Sequence, residues 1–253
     1  MSQFIILTEG TSSSTMLAQM HAAQPQPSGT TLMLTEQTAG RGQRGNSWEA
    51  EPGMNVTMSM LVAFDGVHAA QQFIISQIVS LTIVDMLREY LAPAVTAERV
   101  KVKWPNDIYV DDRKIAGILI ENTIYGAYMA YSIIGIGLNV NQSRFISDAP
   151  NPVSMAQLGV ANHTAVHVGR ELAARINAAF HRYSQGELSP GEVQRRYRTM
   201  LWRGEGIYPY TDVATSRDFM ASITDIEPNG MLHLTDTSGL ERVYAFKEVI
   251  FKV

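Results

Sequence analysis

Cysteine is missing altogether from the 253 residues. That excludes a disulfide framework, thiolate zinc or iron–sulfur sites and a cysteine nucleophile, and it fits a reducing compartment. Charge is sparse too: 17% of residues are Asp, Glu, Lys or Arg, and 24 acids against 20 bases leave a net charge of −4. Such a surface does not track nucleic acid, although a local basic loop can still hold a phosphate, so DNA is not an expected partner. Long apolar runs are also lacking. Phe73 to Val84 comes nearest, but Ser76, Gln77, Ser80 and Thr82 interrupt it short of the roughly 20 apolar residues of a bilayer span. The N-terminus, Met1 to Glu9, has no basic segment ahead of its short apolar run and hence no signal-peptide pattern. The expectation is a soluble, cytoplasmic protein without a membrane partner. No phosphate loop ending in Gly-Lys-Ser/Thr, no Rossmann glycine spacing and no Gly-x-Ser-x-Gly occurs.

What is present suffices for a packed core. The 45% hydrophobic content excludes disorder, and the length accommodates one large domain with a small appendage, domains running to roughly 100–200 residues. Phe4 to Leu7, Thr30 to Thr35 and Asn55 to Ala63 read as strands, the last with Val56, Met58, Met60 and Val62 on one face and Thr57, Ser59 and Leu61 on the other. Thr11 to Ser14 offer caps for a helix through Ala22; His68 to Leu91 is a long core helix ending before Pro93. Val100 to Lys103, Ile108 to Val110, Lys114 to Glu121 and Ser132 to Val140 are further strands. Helices follow at Ala165 to Tyr183, capped by Thr164, and at Glu192 to Met200 after Ser189-Pro190. From Gly204 the texture changes to short alternating strands with turns at Pro228-Asn229-Gly230 and Thr237-Ser238-Gly239, which suits a small β-barrel and puts a boundary near residue 203.

Three segments have the composition of a site. In Gly40-Arg41-Gly42-Gln43-Arg44-Gly45, glycines let backbone N–H groups turn toward an anion, and the arginines add charge-assisted contacts to carboxylate or phosphate. Such a stretch cannot be a regular element, and alone it reads equally as a bare flexible loop. Lys103-Trp104-Pro105-Asn106-Asp107 reads as a turn, and the strand after it places Lys114, Ala116, Ile118 and Ile120 on one face and Ile115, Gly117 and Leu119 on the other. That is a greasy pocket with a positive end, or a strand-end lysine snorkelling to water. In Ile133 to Val140, Gly135, Gly137 and Asn139 share a face opposite Ile134, Ile136, Leu138 and Val140; giving up side chains at alternate positions signals close approach by a ligand or another backbone. His163 and His167 have no third ligand in register and flank a helix start, and Arg195 to Arg198 reads as a solvated helix face.

Taken together, Gly40 to Trp48, Lys103 to Asp107, Arg113 to Glu121 and Gly135 to Val140 resemble the biotin protein ligases in order and approximate separation, over residues 4 to about 200. The resemblance implies an α+β fold: a mixed, largely antiparallel sheet flanked by helices, like that of class II aminoacyl-tRNA synthetases. This catalytic domain would occupy residues 1–203, with a small SH3-like β-barrel over 204–253. It implies that biotin and ATP, with Mg²⁺ on the phosphates and no protein-held metal, give biotinyl-AMP. A lysine of the biotin carboxyl carrier domain of an enzyme such as acetyl-CoA carboxylase then accepts the biotinyl group. Uniting a carboxylate with an α-phosphate requires charge neutralisers, here Arg41, Arg44 and Lys114, and a loop over residues 40–48 to exclude water from the anhydride. Ser12, Ser13, Ser14 and Gln37 would bind the ureido group, or Ser14-Thr15-Met16 in an alternative register; Gly40, Gly42 and Gly117 would complete the biotin site. Trp48, Asn106 and Asn139 would face the nucleotide, and Asp107 would orient the acceptor amine or take its proton. The family's asparagine in the first segment is missing, and Gln43 stands where many members carry a basic residue, leaving fewer charges to retain the adenylate. The ligase type without a DNA-binding domain is expected, with homodimer formation through a sheet edge as in relatives. The alternatives are a lipoate or octanoate ligase of the same fold, a non-catalytic biotin- or nucleotide-binding module, and a repressor, which would need a helix-turn-helix.

Overall fold

Seven strands build the larger sheet: β1 (Phe4–Gly10), β2 (Thr31–Gln37), β3 (Val56–Ala63), β4 (Val100–Lys103), β5 (Asp107–Val110), β6 (Arg113–Tyr125) and β7 (Tyr128–Leu138), in the order β1-β2-β3-β7-β6-β5-β4. Only the β1–β2 pair is parallel. The computed structural model describes residues 3–92, 94–147, 151–161 and 163–252, and the side chain of Arg44 lies outside the described residues.

Helices cover both faces of this sheet. Helix α1 (Ser13–Ala23) sends Leu17 onto Leu32, Leu34, Leu61 and Ile133 on one face. On the other, α2 (Phe73–Leu91), α3 (Ala165–Ser184) and α4 (Pro190–Thr199) enclose the main core with Met58, Ile118, Ile134, Ile136 and Leu138. Strand β3 is therefore buried on both faces almost throughout. Each Ile, Leu or Val that α2 removes from water contributes about 1.5–3 kcal/mol. By length and composition residues 69–91 are long and apolar enough to cross a membrane, contrary to the reading of 73–84, but 78% of that window is buried inside the protein. The expected start at His68 gives way to a 3₁₀ turn at Ala69–Gln71. Thr164 caps α3 by accepting from the His167 N–H, and Ser189 caps α4 by accepting from that of Glu192, with Pro190 in its first turn. Tyr90, Glu171, Arg175 and Glu89 clamp α2 to α3; burial, then the Glu171 carboxylate it donates to, push the Tyr90 phenol up to about 12.

The remaining strands, β8 (Tyr208–Asp212), β9 (Arg217–Ile226), β10 (Leu232–Asp236), β11 (Glu241–Tyr244) and β12 (Val249–Phe251), form an antiparallel sheet ordered β11-β10-β9-β8-β12. Its turn at residues 227–231 docks on the larger unit. The Pro228 carbonyl accepts from the Phe73 N–H at the start of α2, and the Gly230 carbonyl accepts from Trp104 Nε1 at 3.0 Å. A helix start leaves such N–H groups without intrahelical partners, so this contact answers a need of α2. Phe246 and Phe251 pack on Trp104, while Arg196 and Arg198 on α4 pair with Asp85 and Asp225 and Tyr197 between them is fully buried, so this segment is a seam and only in part a solvated face.

Candidate active site

The site begins where α1 starts. Ser12 occupies the N-cap position, yet its hydroxyl does not cap the helix; it lies 3.0 Å from Ser14 Oγ. The Ser13 N–H donates to Gln37 Oε1 at 2.8 Å, and Ser13 Oγ lies 2.8 Å from Ser59 Oγ on β3. All four serines are buried. Ser12, Ser13, Ser14, Gln37 and Ser59 line one end of a cavity of about 50 Å³, while Thr15 Oγ1 faces Arg41. Ser59 carries no functional signal in the sequence beyond its polarity amid Met58 and Met60, because a serine between apolar neighbours in a strand looks like ordinary alternation.

The glycine-rich segment is more ordered than its composition predicts. It folds back as a small hairpin: the Trp48 N–H donates to Gly40, the Gly42 N–H to Asn46, and Arg41 and Ser47 form a bridge, with a 3₁₀ turn at Gln43–Gly45. The Gly42 N–H, expected to turn toward an anion, is thus used within the loop itself, and Gly40 acts in the hairpin without lining the cavity. The fold-back delivers Trp48 onto the sheet. Gly117 of β6 and Gly137 of β7 stand opposite each other, and the indole occupies the space they leave; a Cβ on Gly137 would come within 2.2 Å of Trp48 Cε2. The gap read as room for a ligand or a backbone is here filled by a side chain of the same molecule.

Lys114 reaches this face by a route that alternation does not foresee. Ile108 pairs with Ala116 but Tyr109 pairs with Lys114, so Ile115 is an extra residue in a β-bulge. Ile115 and Ala116 both enter the core, whereas Lys114 and Gly117 both face the cavity. The predicted grouping of Lys114 with Ala116, Ile118 and Ile120 is corrected accordingly. Lys114 Nζ forms an ion pair with Asp107 Oδ1 at 2.7 Å and lies 5.6 Å from the centre of the Trp48 ring. Asn106 is buried and donates to the Ile118 carbonyl, while Asn139 donates to that of Val153 and keeps a buried Oδ1 without a protein partner. An unmatched buried acceptor costs about 1–3 kcal/mol and is the natural seat for a ligand N–H. Trp48 Nε1 is likewise buried without a partner.

A second space, a cleft of about 730 Å³, adjoins the first, and Trp48, Gly42, Gln43, Asn106 and Lys114 border both. Asp107, Asn139, Tyr109, Phe246 and residues 145–147 add to its walls. Glu49 pins that last segment: burial disfavours its charge, but hydrogen bonds from Ser147, Ile146 and Gln142 outweigh this and hold the carboxyl below its ordinary pKa. Arg41, at the mouth of the smaller cavity, makes a two-point ion pair with the half-exposed Glu121. Behind the site, the Tyr197 hydroxyl donates to the Pro105 carbonyl; burial, aided by the Asp107 charge, raises its pKa. Among the described residues no three His, Asp or Glu side chains converge as metal ligands. His163 packs on Tyr90, and His167 Nε2 lies 4.0 Å from Glu171.

Residues 7–139 match the biotin/lipoate A/B protein ligase family. The chain is 32% identical over 165 residues to the bifunctional ligase/repressor BirA of Salmonella typhimurium, covering 64% of this chain and 49% of that one. It is 32% identical over 178 residues to the biotin–[acetyl-CoA-carboxylase] ligase of Mycobacterium tuberculosis, covering 68% and 63%. The chain thus spans about half the length of the first of these relatives. In three dimensions it superimposes on the Aquifex aeolicus biotin protein ligase solved with biotin and ATP, with a TM-score of 0.74 over 100% of this chain and 99% of that one. At 20% identity that likeness speaks to the fold.

Proposed function

The chain belongs to the biotin/lipoate A/B protein ligase family, the match taking in more than half of its 253 residues, and from this we propose that it is an ATP-dependent biotin protein ligase. The observation that carries the reading is the pair of spaces joined at Lys114 and Trp48. The smaller ends in hydroxyl and amide groups suited to a ureido ring; the larger has the size and walls for a nucleotide. In this reading the carboxylate of biotin attacks the α-phosphorus of ATP, and the bond to the β-phosphate breaks with its electron pair leaving on pyrophosphate. The amine of an acceptor lysine on a carrier domain then attacks the carbonyl carbon of biotinyl-AMP and AMP departs.

Ser12, Ser13, Ser14 and Gln37, with Ser59 added, hydrogen-bond the ureido group, and a site built of such partners rejects analogues that lack them. Gly42 and Gly117 leave room for the chain of biotin, while Arg41 and Lys114 offset the charge of two approaching anions. To do so Lys114 leaves Asp107, which frees that carboxylate for the proton of the incoming amine, whose ordinary pKa is near ~10.4. Asn139, Trp48 and Arg44 serve the nucleotide; Asn106 serves it through the position of β6, since its amide is committed to Ile118. Mg²⁺ comes with the ATP phosphates: of the carboxylates around the two spaces, Asp107 pairs with Lys114, Glu121 pairs with Arg41, and Glu49 accepts from Gln142, Ile146 and Ser147. A space of about 50 Å³ is below the ~300 Å³ of ordinary ligand pockets, so biotin enters with withdrawal of Trp48.

The test is incubation with biotin, ATP, Mg²⁺ and an apo carrier domain. The expected result is biotin-dependent pyrophosphate release and biotin on the carrier lysine; no transfer where a known ligase succeeds overturns the reading. Because the family also embraces lipoate ligases, thermal shifts with biotin and with lipoate are compared, and biotin is expected to stabilise more.

A further inference from the structure

Lys103 is a cation to which the chemistry above assigns no task. It ends β4 directly across from Asp107 on β5, and Tyr109, two residues on, pairs with Lys114 of β6. Cross-strand partners share a face, so Lys103, Asp107, Tyr109 and Lys114 form one row along the wall of the larger cleft. Two lysines therefore flank one carboxylate, and that carboxylate is paired with Lys114. The Lys103 ammonium turns the other way: it donates to the Tyr109 hydroxyl at 3.1 Å and lies 5.0, 5.8 and 5.7 Å from the ring centres of Tyr109, Trp202 and Phe251. Aromatic faces attract a cation but leave its charge uncompensated.

The cleft lining, among the described residues, carries four charged side chains: Glu49, Lys103, Asp107 and Lys114. Glu49 is satisfied by backbone and amide N–H groups, and Asp107 and Lys114 form an ion pair. Lys103 is the remainder, held on both sheets, since Tyr109 lies on β5 and Phe251 on β12. A preoriented ammonium without a carboxylate, in a cleft large enough for a nucleotide, is suited to an anion that arrives with the substrate.

We propose that Lys103 binds the β- and γ-phosphates of ATP and the pyrophosphate they become, so that it acts in adenylate formation and not in transfer to the acceptor lysine. The assignment rests on the ligase reading above. When the carboxylate oxygen of biotin bonds to the α-phosphorus, the bridging oxygen leaves with the electron pair and adds negative charge to pyrophosphate. The Lys103 ammonium stabilises that charge without giving up a proton, while Lys114, where the two spaces meet, serves the α-phosphate.

The two half-reactions separate the possibilities. Lys103→Met keeps the aliphatic stem among the rings and removes the charge; Lys103→Arg keeps the charge. Each is assayed for ATP formation from biotinyl-AMP at varied pyrophosphate concentration, and for biotinyl transfer from synthetic biotinyl-AMP to an apo carrier domain. A lost charge-assisted contact is expected to raise the half-saturating pyrophosphate concentration about tenfold or more in Lys103→Met. Lys103→Arg is expected to stay within about threefold of the wild-type value by the same measure, with transfer unchanged in both. Unchanged pyrophosphate dependence with a raised KM for the carrier overturns the proposal in favour of acceptor docking. Equal losses in both half-reactions with a lowered melting temperature overturn it in favour of a purely structural lysine. In case Lys103→Met does not fold, amine-reactive labelling of the unmodified protein gives a second reading: pyrophosphate is expected to protect Lys103, and labelling unaffected by it overturns the proposal. A wild-type protein that makes no adenylate from biotin and ATP removes the ligase reading itself, an outcome distinct from the others.

Discussion

Lys114 and Arg41 both hold carboxylates, but they stand in different surroundings. Lys114 and Asp107 are mostly enclosed, with side chains 30% and 20% exposed, whereas Arg41 and Glu121 are 45% and 40% exposed. An exposed ion pair contributes about 0–1 kcal/mol, so Arg41→Ala is expected to leave the melting temperature nearly unchanged while slowing adenylate formation, both read on the same preparation. Lys114→Ala leaves Asp107 facing the cleft alone. A stability loss of about 1–3 kcal/mol is expected by denaturant titration. The pyrophosphate burst should fall far more, by roughly a hundredfold to a thousandfold, as when an electrostatic stabiliser of developing charge is removed. Full activity in both variants would show that the reacting atoms lie elsewhere. At this scale much of the site was legible: Ser12 to Ser14, Gln37, Arg41, Asn106 and Lys114 do surround one cavity. Ser59 was not, since what it faces is decided by α1, which reaches it only in the folded chain.

At the scale of elements, β6 and β7 show where sequence patterning holds and where it stops. Along β7 the alternation of Gly135 and Gly137 against Ile134, Ile136 and Leu138 survives intact, because the register with β3 and β6 is regular there. Along β6 it fails between Lys114 and Ala116, and nothing in the residues announces the bulge, Ile115 being as apolar as its neighbours. The loop at 40–48 is more ordered than its composition suggests for the opposite reason: its bonds are between near neighbours, but its anchor is a glycine pair on distant strands. That anchor is testable. Gly137→Ala puts a methyl carbon where the indole lies, and the rigid ring cannot yield within the seat. Trypsin cleavage after Arg41 or Arg44 is expected to be several-fold faster than in the wild type, with the melting temperature little changed; an unaltered cleavage rate would mean that Trp48 does not hold the loop.

Across the whole molecule, the turn at residues 227–231 ties the two sheets, and a histidine stands beside it. Both ring nitrogens of His233 lie 2.8 Å from carboxylates, those of Glu241 and Glu227, and Glu227 belongs to the turn. Its cross-strand neighbour on β9, Asp225, is paired with Arg198. The hydrogen bonds to Glu241 and then Glu227 raise the His233 pKa above 6.5. A raised folded-state pKa means that the stabilisation is complete below the unfolded value and is lost as pH climbs through the folded one. Thermal melts of wild type and His233→Gln should therefore differ most below pH 6.5 and converge only as pH climbs through the raised folded-state pKa; parallel curves would remove His233 from the stability of the seam. The placement of Trp104 has a practical consequence. The chain has 3 tryptophans, of which Trp104 and Trp202 lie in the seam between the sheets and Trp48 lies in the cleft. Emission from Trp104→Phe/Trp202→Phe protein would report on the cleft through Trp48, and emission from Trp48→Phe protein would report on the seam between the sheets and on the Lys103 end of the cleft that adjoins it. The molecule thus carries two optical channels, with no dye to attach.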